Sequence, residues 1–327
     1  MQMLTGKWIA ASLSVVAELG IADLLAGGDK TVDELAAAVS AHAPSLYRVM
    51  RALASVGVFA ETESGRFTLT PLADCLRSDV PNSMRAFARF LAIPAASRSW
   101  EELMHCVKTG ETGLRKVFGA QSPFDYFKTH PEEQGIFDAA MTDNSRQSSP
   151  AVAQAYDFRK FRRVVDVAGG RGMLLGTILQ HYQELSGVLF DLPSVIAGAH
   201  GTLASFGLNG RCQTVGGDFF QSVPEGADGY ILKHIIHDWD DERSVTILRN
   251  VRKAIDRSGR LLVVEPVIAP GNEPSFGKLL DLEMMVIPGG RERTADEYHE
   301  LFAAAGFQLA DIHPTAAPPS VIEGVPV

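Results

Sequence analysis

From about residue 161 the chain alternates short apolar runs with amphipathic stretches of helical period. The runs are Val164–Val167, Gly187–Phe190, Arg211–Val215, Gly229–Leu232 and Leu261–Val264. Strands that alternate with helices predict a parallel sheet, and so an α/β domain over 161–327. Residues 1–80 read differently, as short helices closed by a hairpin. Thr31-Val-Asp-Glu34 spaces as a capping box, and Ala43-Pro44-Ser45 opens a helix with Leu46, Val49, Met50 and Leu53 on one face. Val58–Thr62 and Arg66–Thr70 can pair across Glu63-Ser-Gly65. Residues 81–160 read as a helical segment carrying Phe87, Phe90, Trp100, Phe118, Phe124, Tyr126, Phe127 and Phe137, most of them core and some suited to a flat apolar ligand.

Helices followed by a hairpin form a winged-helix arrangement, which usually suggests DNA binding. Here the would-be recognition helix, 45–56, offers only Arg48 and Arg51, and the 327-residue chain carries a formal charge of −9. A broad nucleic-acid surface is excluded on that balance, so packing or dimerisation is the expected role. Three scattered cysteines, Cys75, Cys106 and Cys212, fit reduced thiols better than a disulfide framework. The stretch Trp8–Ala17 behind Lys7 looks like a signal-peptide core, but Glu18 and Asp23 interrupt it and the apolar spacing continues through Leu19, Leu24 and Leu25. No apolar run reaches the roughly 20 residues that span a bilayer. A cytoplasmic protein without a membrane segment is expected.

Ligands of parallel sheets bind at the carboxyl ends of the strands, so the residues after each run carry the chemistry. The first run ends in Ala168-Gly169-Gly170-Arg171-Gly172. Its glycines permit positive φ and close backbone approach, but the next glycine, Gly176, falls one place late for a dinucleotide fingerprint. A plain tight turn is the alternative. The second run ends at Asp191, which can accept both ribose hydroxyls or simply cap a helix before Pro193. The third leads to Gly217-Asp218-Phe219, an acid and an aromatic suited to an adenine ring or to an ordinary turn. The fourth ends in Lys233-His234-Ile-Ile-His237-Asp238-Trp239-Asp240-Asp241-Glu242. Two histidines near these acids could be metal ligands, but the acids suit the first turn of a helix better. A histidine at this edge is a candidate general base. Glu265, ending the fifth run, could orient that imidazole. In Pro288-Gly-Gly-Arg-Glu-Arg-Thr294, Thr294 and Glu297 space as a second capping box.

Together these segments resemble the plant-type small-molecule O-methyltransferases and their bacterial natural-product relatives. The resemblance rests on Asp166-Val-Ala-Gly-Gly-Arg-Gly172, Phe190-Asp-Leu-Pro193, Gly216-Gly-Asp218, Lys233-x-x-x-His237-Asp-Trp-x-Asp-Glu242 and Gly289-Gly-Arg-Glu-Arg-Thr294, in order over nearly the whole chain. It implies a Rossmann-like class I methyltransferase domain preceded by an otherwise all-helical, winged-helix-like dimerisation domain. It further implies an S-adenosylmethionine-dependent homodimer, with a small aromatic substrate held between the helical region and the Rossmann-like domain. Carried over position by position, Gly169, Gly170, Asp191, Leu192, Asp218, Phe219 and Lys233 are expected at the cofactor, with Ser145 or Arg146 at its methionine carboxylate. His237 is expected as the general base flanked by Glu265 and Glu297, with no metal. Met141, Trp100, Phe124, His234 and Met284 are expected to line the acceptor pocket. Ala168 stands where plant members have glycine, Phe219 where methionine is common, and Ile287 where the plant pattern has a substrate-facing asparagine. The expected reaction is methylation of a phenolic or quinonoid hydroxyl. The alternatives are methylation of a ring nitrogen, an NAD-dependent oxidoreductase, and a DNA-binding regulator on an inactive methyltransferase fold.

Overall fold

The computed structural model describes residues 3–327. The chain forms two compact units, one running to Arg98 and resuming at Phe124–Asn144, the other made of Ser99–Pro123 and Ser145–Val327. The helical stretch 81–160 is thus shared between them. No helix among the described residues is long and apolar enough to cross a membrane.

In the first unit, helices Gly6–Glu18, Val32–Ala38 and Ala43–Ser55 bury Val16, Leu35, Leu46, Met50 and Leu53 against Phe59 and Phe67 of the hairpin. The capping box forms as spaced: Glu34 N–H donates to Thr31 Oγ1 at 3.2 Å and Thr31 N–H to Glu34 Oε2 at 2.7 Å. The hairpin is not the only sheet element. A two-residue strand β1, Lys30–Thr31, joins β2, Phe59–Glu61, and β3, Arg66–Leu69, in the order β1-β3-β2. So short an edge has no pattern of its own in the sequence. Arg66 helps fix it, since its guanidinium donates to Asp29 O and Glu34.

The second unit is built on a seven-stranded sheet. Its strands are β4 (Arg163–Val167), β5 (Ser186–Asp191), β6 (Cys212–Gly216), β7 (Gly229–Lys233), β8 (Arg260–Glu265), β9 (Phe307–His313) and β10 (Ser320–Pro326). The order is β6-β5-β4-β7-β8-β10-β9, with the first five parallel and β10 antiparallel to both neighbours. Val164, Val165, Val167, Ile231, Leu262 and Val264 are fully buried, as expected of central strands covered on both faces. The chain leaves β4 toward β5 on one side and returns through β7 on the other. That reversal opens a crevice at the carboxyl ends of β4 and β7.

Candidate active site

The turn after β4 is made by backbone conformation. Gly170 and Gly172 adopt φ of 60° and 79°, and Ala168 adopts 55°. The left-handed region costs an L-residue about 1–2 kcal/mol, so alanine at 168 holds strain that glycine would not. Ala168 N–H is tied to Phe190 O at 2.7 Å, which fixes the turn against β5. A Cβ on Gly169 would meet the Asp166 carboxyl at 2.5 Å, whereas one on Gly170 would meet nothing within 4 Å. Gly169 is therefore a packing glycine and Gly170 borders open space. Gly176 is closed off by the ring of Phe206, so its place one position late serves helix packing.

Acidic groups converge on this turn. Asp191, at the tip of β5, accepts N–H bonds from Gly170 at 2.8 Å and Leu192 at 2.7 Å. Asp166 is buried on β4 with Oδ2 unpartnered, and burial pushes its carboxyl up to about 7 against the opposing charge of Lys233. Lys233 ends β7, and burial pulls its ammonium down to about 8 while Asp166 acts the other way. Its Nζ donates to Ser145 Oγ at 3.1 Å, which brings the helix Pro131–Ala155, with Arg146 next in line, to the same strand end. Asp218 Oδ1 accepts from Phe220 N–H at 2.8 Å, and Phe219 lies edge-on to Phe220 with ring centroids 4.8 Å apart.

The other half of the edge is made by side chains. His237 lies in the single 3₁₀ turn Ile236–Asp238 after β7, and it is buried. Its Nδ1 is 2.6 Å from Glu292 Oε1, and its Nε2 is 3.7 Å from Asp238 Oδ1. Burial disfavours the charged ring, but the Glu292 hydrogen bond and the charges of Asp238, Glu265 and Glu292 outweigh it and raise His237 to about 9. Glu292 is itself pushed up by burial, against the hydrogen bond and charge of His237.

The two acids expected beside His237 do other work. Glu265 Oε1 accepts the backbone N–H groups of Ile235, Ile236 and His237 at 3.0, 2.7 and 3.2 Å, while Tyr298 Oη donates to Oε2 at 2.5 Å. Glu265 thus pins the loop and touches the imidazole only through its charge. Glu297 closes the capping box with Thr294 and pairs with Arg291 at 3.3 Å. The acid on the imidazole is Glu292, five residues earlier, because the Gly-Gly-Arg-Glu-Arg-Thr loop runs directly beneath the histidine. A Cβ on Gly290 would run into the His237 carbonyl oxygen. Arg293, fully buried, donates to Ile236 O at 3.2 Å, Trp239 O at 3.0 Å and Asp241 at 2.8 Å. Among the described residues no group of three His, Cys, Asp or Glu is placed to hold a metal ion.

Of the residues expected at the acceptor, Trp100, His234 and Met284 belong to this unit, and Met141 and Phe124 to the first. Trp100 Nε1 donates to Glu283, next to the buried Met284 on the helix Phe276–Val286. Burial raises the Glu283 carboxyl against that hydrogen bond. Neither Glu283, Glu292 nor Arg293 stands out as a site residue in the sequence. The usable signal for Glu292 and Arg293 is a charged pair behind two glycines in a loop that must pass close to another backbone.

Comparison with known proteins places this geometry. Residues 100–308 match the O-methyltransferase domain family, and residues 1–79 match the O-methyltransferase dimerisation domain. A phenazine O-methyltransferase of Lysobacter antibioticus is 49% identical over 100% of this chain and 95% of its own. A crystal structure of LaPhzM superimposes with a TM-score of 0.96 at 49% identity, covering 100% of this chain and 98% of that one. An O-methyltransferase from neocarzinostatin biosynthesis, solved with S-adenosylmethionine and 2-hydroxy-5-methyl naphthoic acid, gives 0.82 at 34% identity, covering 97% and 96%. The residues here fit such a cofactor: Gly170 borders open space, the Asp191 carboxylate stands beside it, and a buried Asp166 oxygen lacks a partner. The chain is an enzyme of the O-methyltransferase family, whose methyl donor is S-adenosylmethionine.

Proposed function

We propose that this enzyme methylates a hydroxyl of a small aromatic metabolite, phenolic or quinonoid, with His237 as the general base. The observation that carries the reading is the buried His237–Glu292 contact at 2.6 Å. In the neutral ring, an Nδ1–H committed to a carboxylate leaves the lone pair on Nε2, the tautomer a base requires. When bound, S-adenosylmethionine supplies an electrophilic methyl group on a positively charged sulfur. Asp191 would then accept the ribose hydroxyls, Asp218 and Phe219 would face the adenine, and Gly169, Gly170 and Leu192 would line the cofactor. Lys233, with Ser145 and Arg146, would hold the methionine end. Nε2 of the neutral His237 takes the hydroxyl proton, and Glu292, Asp238 and Glu265 stabilise the imidazolium that results.

Relatives that act on phenazines or bind a hydroxynaphthoic acid support a fused aromatic acceptor. Trp100, His234 and Met284 are assigned to its pocket. The dimerisation-domain match supports a homodimer assembled through the N-terminal residues.

The test is methyl transfer to a panel of phenols and hydroxyquinones, read by mass, for the native enzyme and His237→Ala. A phenol of pKa near 10 is mostly neutral at pH 7, so losing the base should lower kcat by about 10²–10⁴-fold while S-adenosylhomocysteine still binds. Near-native turnover by His237→Ala on a hydroxyl would overturn the assignment. Unimpaired transfer to a ring nitrogen by that variant would move it to nitrogen, which needs no base.

A further inference from the structure

We propose that His234 recognises a second polar atom of the acceptor, a hydrogen-bond acceptor lying ortho or peri to the hydroxyl that is methylated. The inference rests on the reading of His237 as the base. His234 follows β7 directly and adopts φ of 55°, a left-handed conformation that β-carbon-bearing residues rarely hold. Its N–H is tied to Val264 O at 3.2 Å, so the backbone is fixed there. Strain of this kind persists where the side chain it aims is useful.

The ring stands beside the base. The His234 and His237 centroids are 5.1 Å apart at a 32° tilt. His234 Nδ1 is buried without a partner. Burial, reinforced by the neighbouring Lys233 and His237, pushes this imidazole well below its usual range, so it stays neutral. A neutral imidazole carries one N–H. A stranded buried donor is rarer and costlier than a stranded acceptor, which puts the proton on Nε2 and leaves Nδ1 a bare lone pair.

The two histidines therefore offer opposite chemistry side by side. In its neutral form, which accumulates as pH rises toward about 9, His237 has Nδ1–H committed to Glu292 and an accepting Nε2, and His234 has a donating one. A hydroxyl flanked by a pyridine-type ring nitrogen or a quinone carbonyl matches that pair: the hydroxyl donates to His237 and its neighbour accepts from His234. In free solution those two groups of the substrate bond to each other, which ties up the very proton the base must remove. Capture of the acceptor atom by His234 opens that internal bond.

The experiment compares 8-hydroxyquinoline with 1-naphthol, which differ only in a ring nitrogen beside the hydroxyl. Their affinities are measured by calorimetry with S-adenosylhomocysteine present, for the native enzyme, His234→Phe and His234→Gly. The preference for 8-hydroxyquinoline should fall about tenfold in both variants, the worth of one neutral hydrogen bond. The loss should fall on 8-hydroxyquinoline. His234→Gly removes the backbone strain and keeps the experiment interpretable if phenylalanine does not fit. A preference unchanged in a folded variant overturns the proposal. Methyl transfer is read separately. Discrimination without any O-methylation by the native enzyme would uphold His234 and reject the His237 reading, and O-methylation without discrimination would do the reverse.

Discussion

At the β4–β5 end the chain turns through Ala168, Gly170 and Gly172 with φ between 55° and 79°, and its acids meet backbone N–H groups 21 residues or fewer away. At the β7–β8 end the backbone is held by buried charges: Glu265 takes three N–H groups, Arg293 takes two carbonyls, and His237 meets an acid 55 residues on. The first region is shaped by what the main chain can do, the second by what distant side chains force it to do. A cofactor shared by a whole family needs only the former. The role of base proposed for His237, one tautomer held beside variable acceptors, needs the latter.

The sharpest way to break this contrast is Glu292→Gln. The amide keeps the shape but removes one of the charges that raise His237, so the imidazole falls from about 9 toward its ordinary range while Asp238 and Glu265 still act on it. We expect kcat to drop about 10²-fold or more, by analogy with a triad acid changed to its amide. In the native enzyme the neutral imidazole accumulates only as pH rises toward about 9, so kcat/KM should climb through that range. In the variant the rise should move to lower pH. A pH–rate profile with the same midpoint in both would separate Glu292 from the base.

Gly290→Ala tests the same region through the backbone. Its Cβ collides with the His237 carbonyl, so we expect a loss of about 1–3 kcal/mol in denaturant unfolding together with reduced kcat. Asp191→Ala tests the other end. It removes two charge-assisted N–H bonds along with the proposed ribose contact, and S-adenosylhomocysteine should bind about 10–100-fold more weakly by calorimetry, with kcat at saturating cofactor largely kept. The smallest effect is Ala168→Gly. Relief of the left-handed alanine should stabilise the fold by about 0.5–1 kcal/mol with activity unchanged, the greater unfolded-chain freedom of glycine offsetting part of the gain.

What the sequence reveals follows the same division. All five parallel strands lie within a residue of the apolar runs, so Asp191 and Lys233, which end their strands, and Asp218, two residues past its own, can be located from the runs alone. Glu292 is hidden because its partner comes from a separate loop, and Glu297 draws attention away from it by standing in a well-formed capping box. The last two strands escape for a different reason. Strand β10 contains Gly324 and Pro326 and shifts register between Glu323 and Gly324, all features that argue against a strand until its neighbours are known. Gly324 is there because the ring of Phe302 lies where a Cβ would point.

The position of β10 also sets an order of assembly during synthesis. It lies between β8 and β9, and its Ser320 is in register with Glu265, the residue that holds the His237 loop. A nascent chain that has emerged only to residue 313 already carries every side chain proposed for catalysis and cofactor binding, yet β8 still presents an open edge, the kind of surface on which partly folded chains associate. The ribosome thus releases the chemistry before the strand that secures it.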